Sequence, residues 1–429
     1  MNIFGIIILA ISLISPLSSK KLFNNSFNFL SSKEKLFSLK VESNIIIDEI
    51  SDFHTPAQLK YIKDPKPENI FLYAHGNEDL SRPKGNKLDF SQDVADSSSY
   101  VLQYSSSQHF ENDKTKTIKD LKNKIYYLKN LKLNETIYYR GAVNVEGLVN
   151  SKIHKLTVSS LPPRNLDIPG LDNARDIGGY KTNLIKGGVI KQGLYYRSAR
   201  LSTMGDEGKK IISKLGIKRE INLNEEYFNP NIKGISYHYI PMENTDENTR
   251  FDKYNQEYKT VFQLLSEADK YPIVLHCHAG ADRTGVMSFA LLALLGVEYK
   301  DIARDYAFTS FGVQGERYVK NSQLELWMKK LDKYEGKNLA EKCKNWLIKK
   351  GIKENILERI RGIFIGGYNR KKSPYFPDNF DSLSIDEKYK IVKKLVSENK
   401  IKIIHLKEYL SQTDYQIIVK RYLLEKNKN

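Results

Sequence analysis

Apolar and polar residues alternate along short runs over residues 41–160 and follow a helical period later in the chain. The alternating runs predict strands over 43–50, 70–75, 99–104, 125–128, 136–143 and 152–158. Repeated short strands rich in Tyr, Ile and Val favour a small all-β sandwich over residues 41–160. Pro162 and Pro163 then interrupt the pattern, which predicts a linker over 159–165.

Strands and helices alternate after this linker. Strands are predicted over 194–197, 219–223, 236–240 and 273–276, and helices over 206–215, 255–268, 286–295, 323–332, 339–349 and 354–361. Strands separated by helices usually pair in parallel in a sheet that the helices cover. We therefore expect an α/β domain over 165–366. A basic helical extension is expected over 370–429, because its apolar residues keep helical spacing.

The first residues of the chain contain an apolar run from Ile3 to Ile14. This run is shorter than the ~20 residues of a membrane-spanning helix. Because small residues follow it at Ser18 and Ser19, it predicts a secretory signal peptide over 1–20, with a buried first element as the alternative. We expect a secreted or luminal protein with no membrane span after signal removal.

Composition narrows the classes of partner and of stabilising site. The 68 Lys and Arg against 51 Asp and Glu give a net charge of +17, which favours acidic partners such as phosphate esters, nucleic acid or anionic membranes. The two cysteines, Cys277 and Cys343, exclude a disulfide scaffold and a four-cysteine zinc site. A single bridge between them stays open as an alternative.

The strand over 272–276 leads into a short loop that ends on a predicted helix. The loop and its exit read Cys277, His278, Ala279, Gly280, Ala281, Asp282, Arg283, Thr284 and Gly285. A loop that closes onto a helix N-terminus turns successive backbone N–H groups inward, which makes a nest for a tetrahedral dianion. Residues 278–283 are therefore the predicted phosphate-binding loop, in which Gly280 permits the tight turn.

The side chains of this loop predict nucleophilic chemistry. The helix dipole and Arg283 favour the thiolate of Cys277, which attacks phosphorus. The planar fork of Arg283 holds two phosphoryl oxygens. The hydroxyl of Thr284 donates to the sulfur and makes Cys277 a better leaving group when water resolves the phosphocysteine. No metal or other cofactor is expected, because no second Cys/His cluster accompanies His276, Cys277 and His278.

The stretch from His276 to Gly285 resembles the His-Cys-x5-Arg signature of protein tyrosine and dual-specificity phosphatases. Its narrower form is similar to the bacterial-type tyrosine phosphatase family. Three further segments resemble that family: Asn173, Arg175, Asp176, Gly178, Gly179 and Tyr180; Leu194 to Ala199; and Tyr306, Thr309, Ser310 and Phe311. The resemblance implies a cysteine-phosphatase fold over about 165–366, acting on phosphotyrosine, phosphoserine, phosphothreonine or phosphoinositides.

Two departures from the family pattern change these expectations. Ala281 stands where the family usually has Lys, which removes a cation from the pocket. A highly charged phosphoinositide head group would lose most from that change, so we expect a phosphoprotein substrate, chiefly phosphotyrosine. Asn222, Leu223 and Asn224 replace the family's Asp-Leu-Arg, so any ion pair made there is absent.

Two aspartates compete to protonate the leaving oxygen. The resemblance assigns this role to Asp282 in the loop. In ordinary tyrosine phosphatases the acid lies on a mobile loop about thirty residues before the cysteine, and Asp246 lies 31 residues before Cys277. We favour Asp282, because Asp246 lacks the Trp-Pro-Asp setting.

The segment from Leu131 to Arg140 resembles the strand-F corner of fibronectin type III modules. The sequence as a whole predicts a secreted tyrosine phosphatase whose partner is a phosphotyrosyl protein or another phosphate ester, and not nucleic acid. The amino-terminal domain has no assigned partner. The alternatives are a phosphoinositide or small phosphate-ester phosphatase, and an extracellular protein that binds phosphate or a partner without catalysis.

Overall fold

The computed structural model describes residues 46–143, 152–245, 247–368, 375–377, 380, 383–410 and 412–426. The predicted signal peptide over 1–20 and the alternative acid Asp246 lie outside these residues. The strands are β1 (Ile46–Ser51), β2 (Asn86–Asp89), β3 (Tyr100–Ser105), β4 (Thr115–Leu121), β5 (Ile125–Leu128), β6 (Thr136–Val143), β7 (Ile153–Val158), β8 (Arg164–Asn165), β9 (Arg175–Asp176), β10 (Lys181–Thr182), β11 (Gly188–Val189), β12 (Tyr195–Ser198), β13 (Arg219–Asn222), β14 (Ser236–Tyr239) and β15 (Ile273–His276).

The helices occupy most of the second half of the chain. They are α1 (Pro56–Lys63), α2 (Asp206–Lys214), α3 (Glu247–Asp252), α4 (Asn255–Leu265), α5 (Arg283–Leu294), α6 (Tyr299–Ala307), α7 (Gln323–Leu331), α8 (Leu339–Lys349), α9 (Glu354–Phe364), α10 (Ile385–Ser397) and α11 (Gln412–Lys426). No helix of the described segments is both long enough and apolar enough to cross a membrane.

The amino-terminal strands form a five-stranded sheet in the order β1-β7-β6-β3-β4. Within it β3 runs antiparallel to both β4 and β6. The residues Asp89–Lys124 and Tyr138–His154 belong to one compact unit. Its core contains Phe90, whose ring lies edge-on to Tyr100 at a centroid distance of 6.1 Å. Gly141 makes room for this ring, because a side chain there would lie 2.0 Å from it.

One predicted strand of this region is wrong. The segment over 70–75 is not extended, because Pro67–Leu72 forms a 3-10 helix. Proline at its start has no N–H to give to a strand neighbour, and the N–H of Tyr73 closes a turn on the carbonyl of Ile70. A short apolar run does not by itself distinguish these two conformations.

The second compact unit contains residues Asp48–Leu88, Ile125–Ile137 and Lys155–Asn429. Its six-stranded sheet has the order β14-β13-β15-β12-β9-β8. The strands β12, β13, β14 and β15 are parallel, whereas β9 is antiparallel to both β12 and β8. The expected α/β architecture with a mainly parallel sheet is thus present.

The helix α5 forms the centre of this unit. Every residue from Arg283 to Leu294 is buried, which is the pattern of a helix enclosed on all sides. The thiol of Cys343 on α8 packs against it and donates to the carbonyl of Ala290 at 3.3 Å. Burial raises the pKa of the Cys343 thiol well above its ordinary value. Cys277 and Cys343 are both free thiols, so the alternative of a bridge between them is wrong.

An amino-terminal segment contributes to the core of this same unit. The helix α1 begins with a capping box between Thr55 and Gln58. Its Tyr61 is fully buried, with ring centroids 6.3 Å from Phe308 and 6.0 Å from Phe311. Residues 48–88 therefore cluster with the α/β fold and do not follow the domain boundary expected near residue 160, because their apolar side chains complete its core.

The carboxy-terminal region is helical over the residues described. The helix α10 starts with a capping box between Ser384 and Glu387. Apolar residues of α10 and α11 bury one another in a separate cluster that includes Tyr389, Val392 and Ile418. The described segments of the predicted extension thus contain the helices α10 and α11.

Candidate functional site

The cysteine loop lies at the carboxyl edge of the parallel sheet. The last residue of β15, His276, pairs with Ser198 of β12 on one side and with Asn222 of β13 on the other. Cys277 follows directly and is 2% exposed, and α5 begins at Arg283. Sites in open α/β sheets commonly form at this edge, where the loops after neighbouring strands converge.

The backbone N–H groups of the loop form a second feature of the site. Among the residues that the structure describes, none accepts a hydrogen bond from the amides of His278, Ala279, Gly280, Ala281, Asp282 or Arg283. Buried backbone amides are nearly always paired with protein or with ordered water, so six successive amides without a protein acceptor are available to water or to a ligand. These six amides and the α5 N-terminus beside them are the groups for which an anion nest is predicted.

The carbonyls of the same loop are held from outside. The Asn173 side chain donates to the carbonyls of Ala279 and Gly280, both at 3.1 Å. Arg197 donates to the carbonyl of Gly280 at 2.8 Å, and the N–H of Arg200 donates to the carbonyl of His278 at 3.0 Å. Side chains and backbone outside the loop thus hold the carbonyls of three successive loop residues.

Gly280 is required by both its backbone and its surroundings. Its φ of +66° lies in the left-handed region, and a Cβ atom would lie 2.3 Å from the carbonyl oxygen of Ser198. No other residue fits that space unless the loop or the end of β12 moves.

A buried ionic network lies under the loop. Asp305 on α6 accepts from Arg175 at 2.9 Å and from Arg197 at 2.6 Å, and all three side chains are at most 2% exposed. Burial alone raises the pKa of Asp305, but the charges and hydrogen bonds of the two arginines outweigh it and hold the pKa below its ordinary value. Arg175 also donates to the Asn173 side chain and to Thr309.

Arg283, the predicted phosphate ligand, is 5% exposed. Its guanidinium donates to the carbonyl of Met242 at 2.9 Å. This contact joins the start of α5 to the segment after β14 and fixes the direction of the side chain.

Asp282, the favoured proton donor, is bound by two side chains from distant parts of the chain. Arg317 donates to its two carboxylate oxygens at 2.9 and 3.0 Å. Gln323 donates to one of them at 3.2 Å. Its neighbour Ala281, at the position of the family's lysine, is fully buried.

Thr284 is placed in α5 with its hydroxyl buried. The hydroxyl oxygen has no hydrogen-bond partner within the described segments, so the expected contact with the sulfur of Cys277 is not made in this structure. A buried hydroxyl without a partner lowers the stability of the folded state.

The two histidines of the loop have different surroundings. His276 is buried and lies 2.9 Å from the carboxylate of Glu220, which is also buried. His278 is exposed, with its ring nitrogen 3.4 Å from Arg200. Over the described ranges, no group of three or more His, Cys, Asp or Glu residues could hold a metal ion.

The replacement of the family's Asp-Leu-Arg is accommodated by amide hydrogen bonds. The Asn222 side chain accepts from the N–H of Asn224 at 2.8 Å and donates to the hydroxyl of Tyr237 at 3.0 Å. Hydrogen bonds between neutral groups thus order the start of the segment that follows β13.

Several residues of the site did not emerge from the sequence as site residues. They are Asn173, Arg175, Arg197, Glu220, Asp305, Arg317 and Gln323. Asn173, Arg175 and Arg197 lie in segments that resemble the family, so the resemblance could have indicated them as site residues. Arg317 and Gln323 belong to no motif, and only their contact with Asp282 reveals them.

Residues 166–360 match the model of the tyrosine phosphatase family. A tyrosine-protein phosphatase of Nostoc commune is 27% identical over 153 residues, which are 30% of this chain and 52% of the relative. The chain thus spans about half the length of that curated relative. The resemblance to tyrosine phosphatases is confirmed for this segment.

Solved structures show weaker likenesses. The crystal structure of TpbA from P. aeruginosa is 16% identical, with a TM-score of 0.25, and covers 35% of this chain and 96% of its own. The catalytic core of the PP-IP phosphatase SIW14 from S. cerevisiae is 16% identical, with a TM-score of 0.26, and covers 34% of this chain and 90% of its own. Likenesses at these scores carry no information about the substrate.

Proposed function

We propose that this protein is a cysteine-dependent phosphatase that hydrolyses phosphomonoesters, chiefly phosphotyrosine in proteins, through a phosphocysteine intermediate. The observation that carries the proposal is that six successive amides directly after Cys277, from His278 to Arg283, have no acceptor among the described residues. A tetrahedral oxyanion with three free oxygens satisfies such a nest, and a thiolate at the preceding residue can attack phosphorus.

In the first step the Cys277 thiolate attacks phosphorus and a sulfur–phosphorus bond forms. The bond from phosphorus to the ester oxygen breaks, and Asp282 in its protonated form gives its proton to that oxygen. Arg283 and the loop amides carry the charge of the equatorial oxygens. The products are a neutral phenol or alcohol, phosphocysteine and ionised Asp282.

In the second step a water molecule attacks phosphorus through its oxygen, and Asp282 accepts a proton from that water. The sulfur–phosphorus bond breaks, inorganic phosphate forms and the thiolate returns. The hydroxyl of Thr284 is available to donate to the departing sulfur, because no described group uses it. Protons and charges balance over the two steps.

The substrate preference rests on Ala281. Burial of this small apolar side chain leaves the loop without the cation that the family usually supplies there. A substrate with one phosphate on an aryl oxygen needs less positive charge than a head group with several phosphates. Phosphotyrosyl protein is therefore proposed over phosphoinositide.

The location of the protein is a further part of the proposal. The apolar run from Ile3 to Ile14 supports secretion or a luminal site. Expression of the full chain in a secreting host, with mass measurement of the product, tests this: removal of about twenty residues supports it and an intact N-terminus in the cytosol opposes it.

The test of the activity is hydrolysis of 4-nitrophenyl phosphate and of a phosphotyrosine peptide in chelator and reductant. Cys277→Ala is expected to abolish turnover while phosphate binding, measured by calorimetry, persists. Cys343→Ala is the matched control, because it removes the other free buried thiol and leaves the loop untouched.

Three outcomes separate the alternatives. Turnover by wild type and by Cys343→Ala, with none by Cys277→Ala, supports the proposal. Faster turnover of inositol phosphates than of the peptide favours the phosphoinositide alternative. Phosphate binding with no turnover by reduced wild-type protein favours the non-catalytic binding protein.

A further inference from the structure

We infer that Arg317 and Gln323 are positioning residues for proton transfer, which act by fixing the carboxyl group of Asp282. The inference rests on the proposed function, since it assumes that Asp282 exchanges a proton with the leaving oxygen. It assigns a role to two side chains that lie outside the phosphate loop and far from it in the sequence.

The geometry of the Arg317 contact fixes the plane of the carboxyl group as well as its position. The Nε and Nη2 groups of Arg317 donate to the two different oxygens of Asp282, at 2.9 and 3.0 Å. Parallel hydrogen bonds of this kind define both the distance and the orientation of a carboxylate. A single donor would leave the group free to rotate.

Arg317 is itself rigidly held. Its Nη1 group donates to the carbonyls of Gln314 and Glu316 at 3.1 and 2.9 Å, and its backbone N–H donates to the hydroxyl of Ser310 at 2.8 Å. Its side chain is 18% exposed. These contacts distinguish the pair from a mobile ion pair at the surface, which orders little.

Gln323 donates a further hydrogen bond to Asp282, and a hydrogen bond from Arg250 fixes the orientation of its amide group. Its oxygen accepts from Arg250 at 2.9 Å, so its nitrogen points to Asp282, at 3.2 Å. Arg250 also donates to the side chain of Asn244 at 3.3 Å. The carbonyl of Met242, two residues before Asn244, accepts a hydrogen bond from Arg283. One network thus connects the candidate proton donor and the candidate phosphate ligand.

The charge of Arg317 suits this role. After the first step the ionised Asp282 lies in the same loop as phosphocysteine, whose phosphoryl group is also negative, so the two groups repel each other. Arg317 places a positive charge directly on Asp282 and reduces this repulsion. The cation comes from a segment 35 residues further along the chain.

The alternative role for Arg317 is purely structural, as an ion pair that secures the start of α5. The two roles differ in one observable. A structural pair affects stability and lowers every rate alike, whereas a pair that orients a proton donor matters most when the leaving group is a poor one.

The experiment measures kcat/KM for phenyl phosphate, whose leaving group needs a proton, and for 4-nitrophenyl phosphate, whose leaving group needs it less. We expect Arg317→Gln to lower the value for phenyl phosphate by about tenfold or more, and that for 4-nitrophenyl phosphate by less than about threefold. Asp282→Asn should show the same pattern with a larger amplitude. In the Asp282→Asn background, Arg317→Gln should change neither value by more than about twofold.

Arg317→Lys and Gln323→Met extend the series. A lysine at position 317 can donate to Asp282 from one nitrogen instead of two, so it should recover part of the lost kcat/KM for phenyl phosphate. Gln323→Met should give the same leaving-group dependence with a smaller amplitude, and it decides the question if Arg317→Gln does not fold. Arg304→Gln is the matched control, because this buried arginine bonds Asp64 and Asp301 and makes no described contact with the loop.

Equal losses on both substrates, or losses that multiply with those of Asp282→Asn, overturn the inference. These results leave the proposed function standing, since wild type still hydrolyses both esters. Failure of the proposed function is recognised separately, by the absence of Cys277-dependent turnover in wild-type protein.

Discussion

Arg197 and Asp305 form a buried ion pair with a distance of 2.6 Å between Nη1 and Oδ2. The same arginine donates to the carbonyl of Gly280, so the pair connects α6 directly to the phosphate loop. An arrangement of this kind transmits any change at Asp305 to the backbone of the candidate active site.

Asp305→Asn is expected to lower the free energy of unfolding by about 3–5 kcal/mol, because it leaves two buried arginines with one charge partner fewer. Urea denaturation measures the change. Asp301→Asn on the same helix is the control, since Asp301 is 28% exposed and pairs with Arg304 at 3.4 Å. It should lose less than about 1 kcal/mol. Similar losses in both variants would contradict the importance of the network.

Gly280→Ala is expected to abolish phosphatase activity. The new Cβ would lie 2.3 Å from the carbonyl oxygen of Ser198, so either the loop or β12 must move. Gly216→Ala is a close control, since Gly216 has a similar φ of +70° and its Cβ would meet nothing within 4 Å. Both variants carry backbone strain of about 1–3 kcal/mol, but only the first should lose turnover of 4-nitrophenyl phosphate. An active Gly280→Ala enzyme would show that the loop is not held as described.

Thr284→Val is expected to leave the protein as stable as wild type or more stable. It removes a buried hydroxyl that has no described partner, and such a group costs about 1–3 kcal/mol. If the hydroxyl assists the departure of sulfur, the variant should accumulate phosphocysteine and show a larger burst in rapid-mixing kinetics. Thr309→Val is the contrast, because the Thr309 hydroxyl accepts from Arg175 at 3.2 Å and its loss should destabilise. A less stable Thr284→Val protein would refute the assignment.

Lys350 is expected to make the free energy of unfolding depend on pH in the alkaline range. Burial lowers its pKa from 10.5 to about 8. Below pH 8 the folded and unfolded states are both protonated, and the penalty of the buried charge is fully present. Between about pH 8 and 10.5 the unfolded state binds more protons, so the free energy of unfolding should rise with pH in that window.

Denaturation of wild type and Lys350→Met at several pH values from 7 to about 10.5 measures this contribution. The difference between the two proteins should change between about pH 8 and 10.5 and be constant below about pH 8. Lys349→Met removes an exposed neighbour and should keep the wild-type dependence. Parallel curves for wild type and Lys350→Met would show that Lys350 does not titrate in this window.

The sequence was sufficient for the chemistry of the loop because its residues are contiguous. Cys277, Gly280 and Arg283 lie within seven positions, and the change from a strand pattern to a helix pattern locates them at a sheet edge. The start of α5 was harder to predict, since Arg283, Thr284 and Gly285 lack the apolar periodicity of the residues that follow.

The supporting network could not be predicted from local pattern. Arg197 and Asp305 are 108 residues apart, and many other arginines and aspartates could have paired. Arg317 and Asp282 pose the same problem at 35 residues. Charge pairing depends on the approach of distant segments, which spacing along one chain does not encode.

The packing of Tyr61 against Phe308 and Phe311 has a consequence for truncation of the chain. A fragment that starts at residue 165 would retain every residue of the phosphate loop and lose α1, which covers those two rings. The rings directly follow α6, the helix that carries Asp305. Proteolytic removal of the amino-terminal segment would therefore weaken the packing beneath the candidate active site without cutting any of its residues.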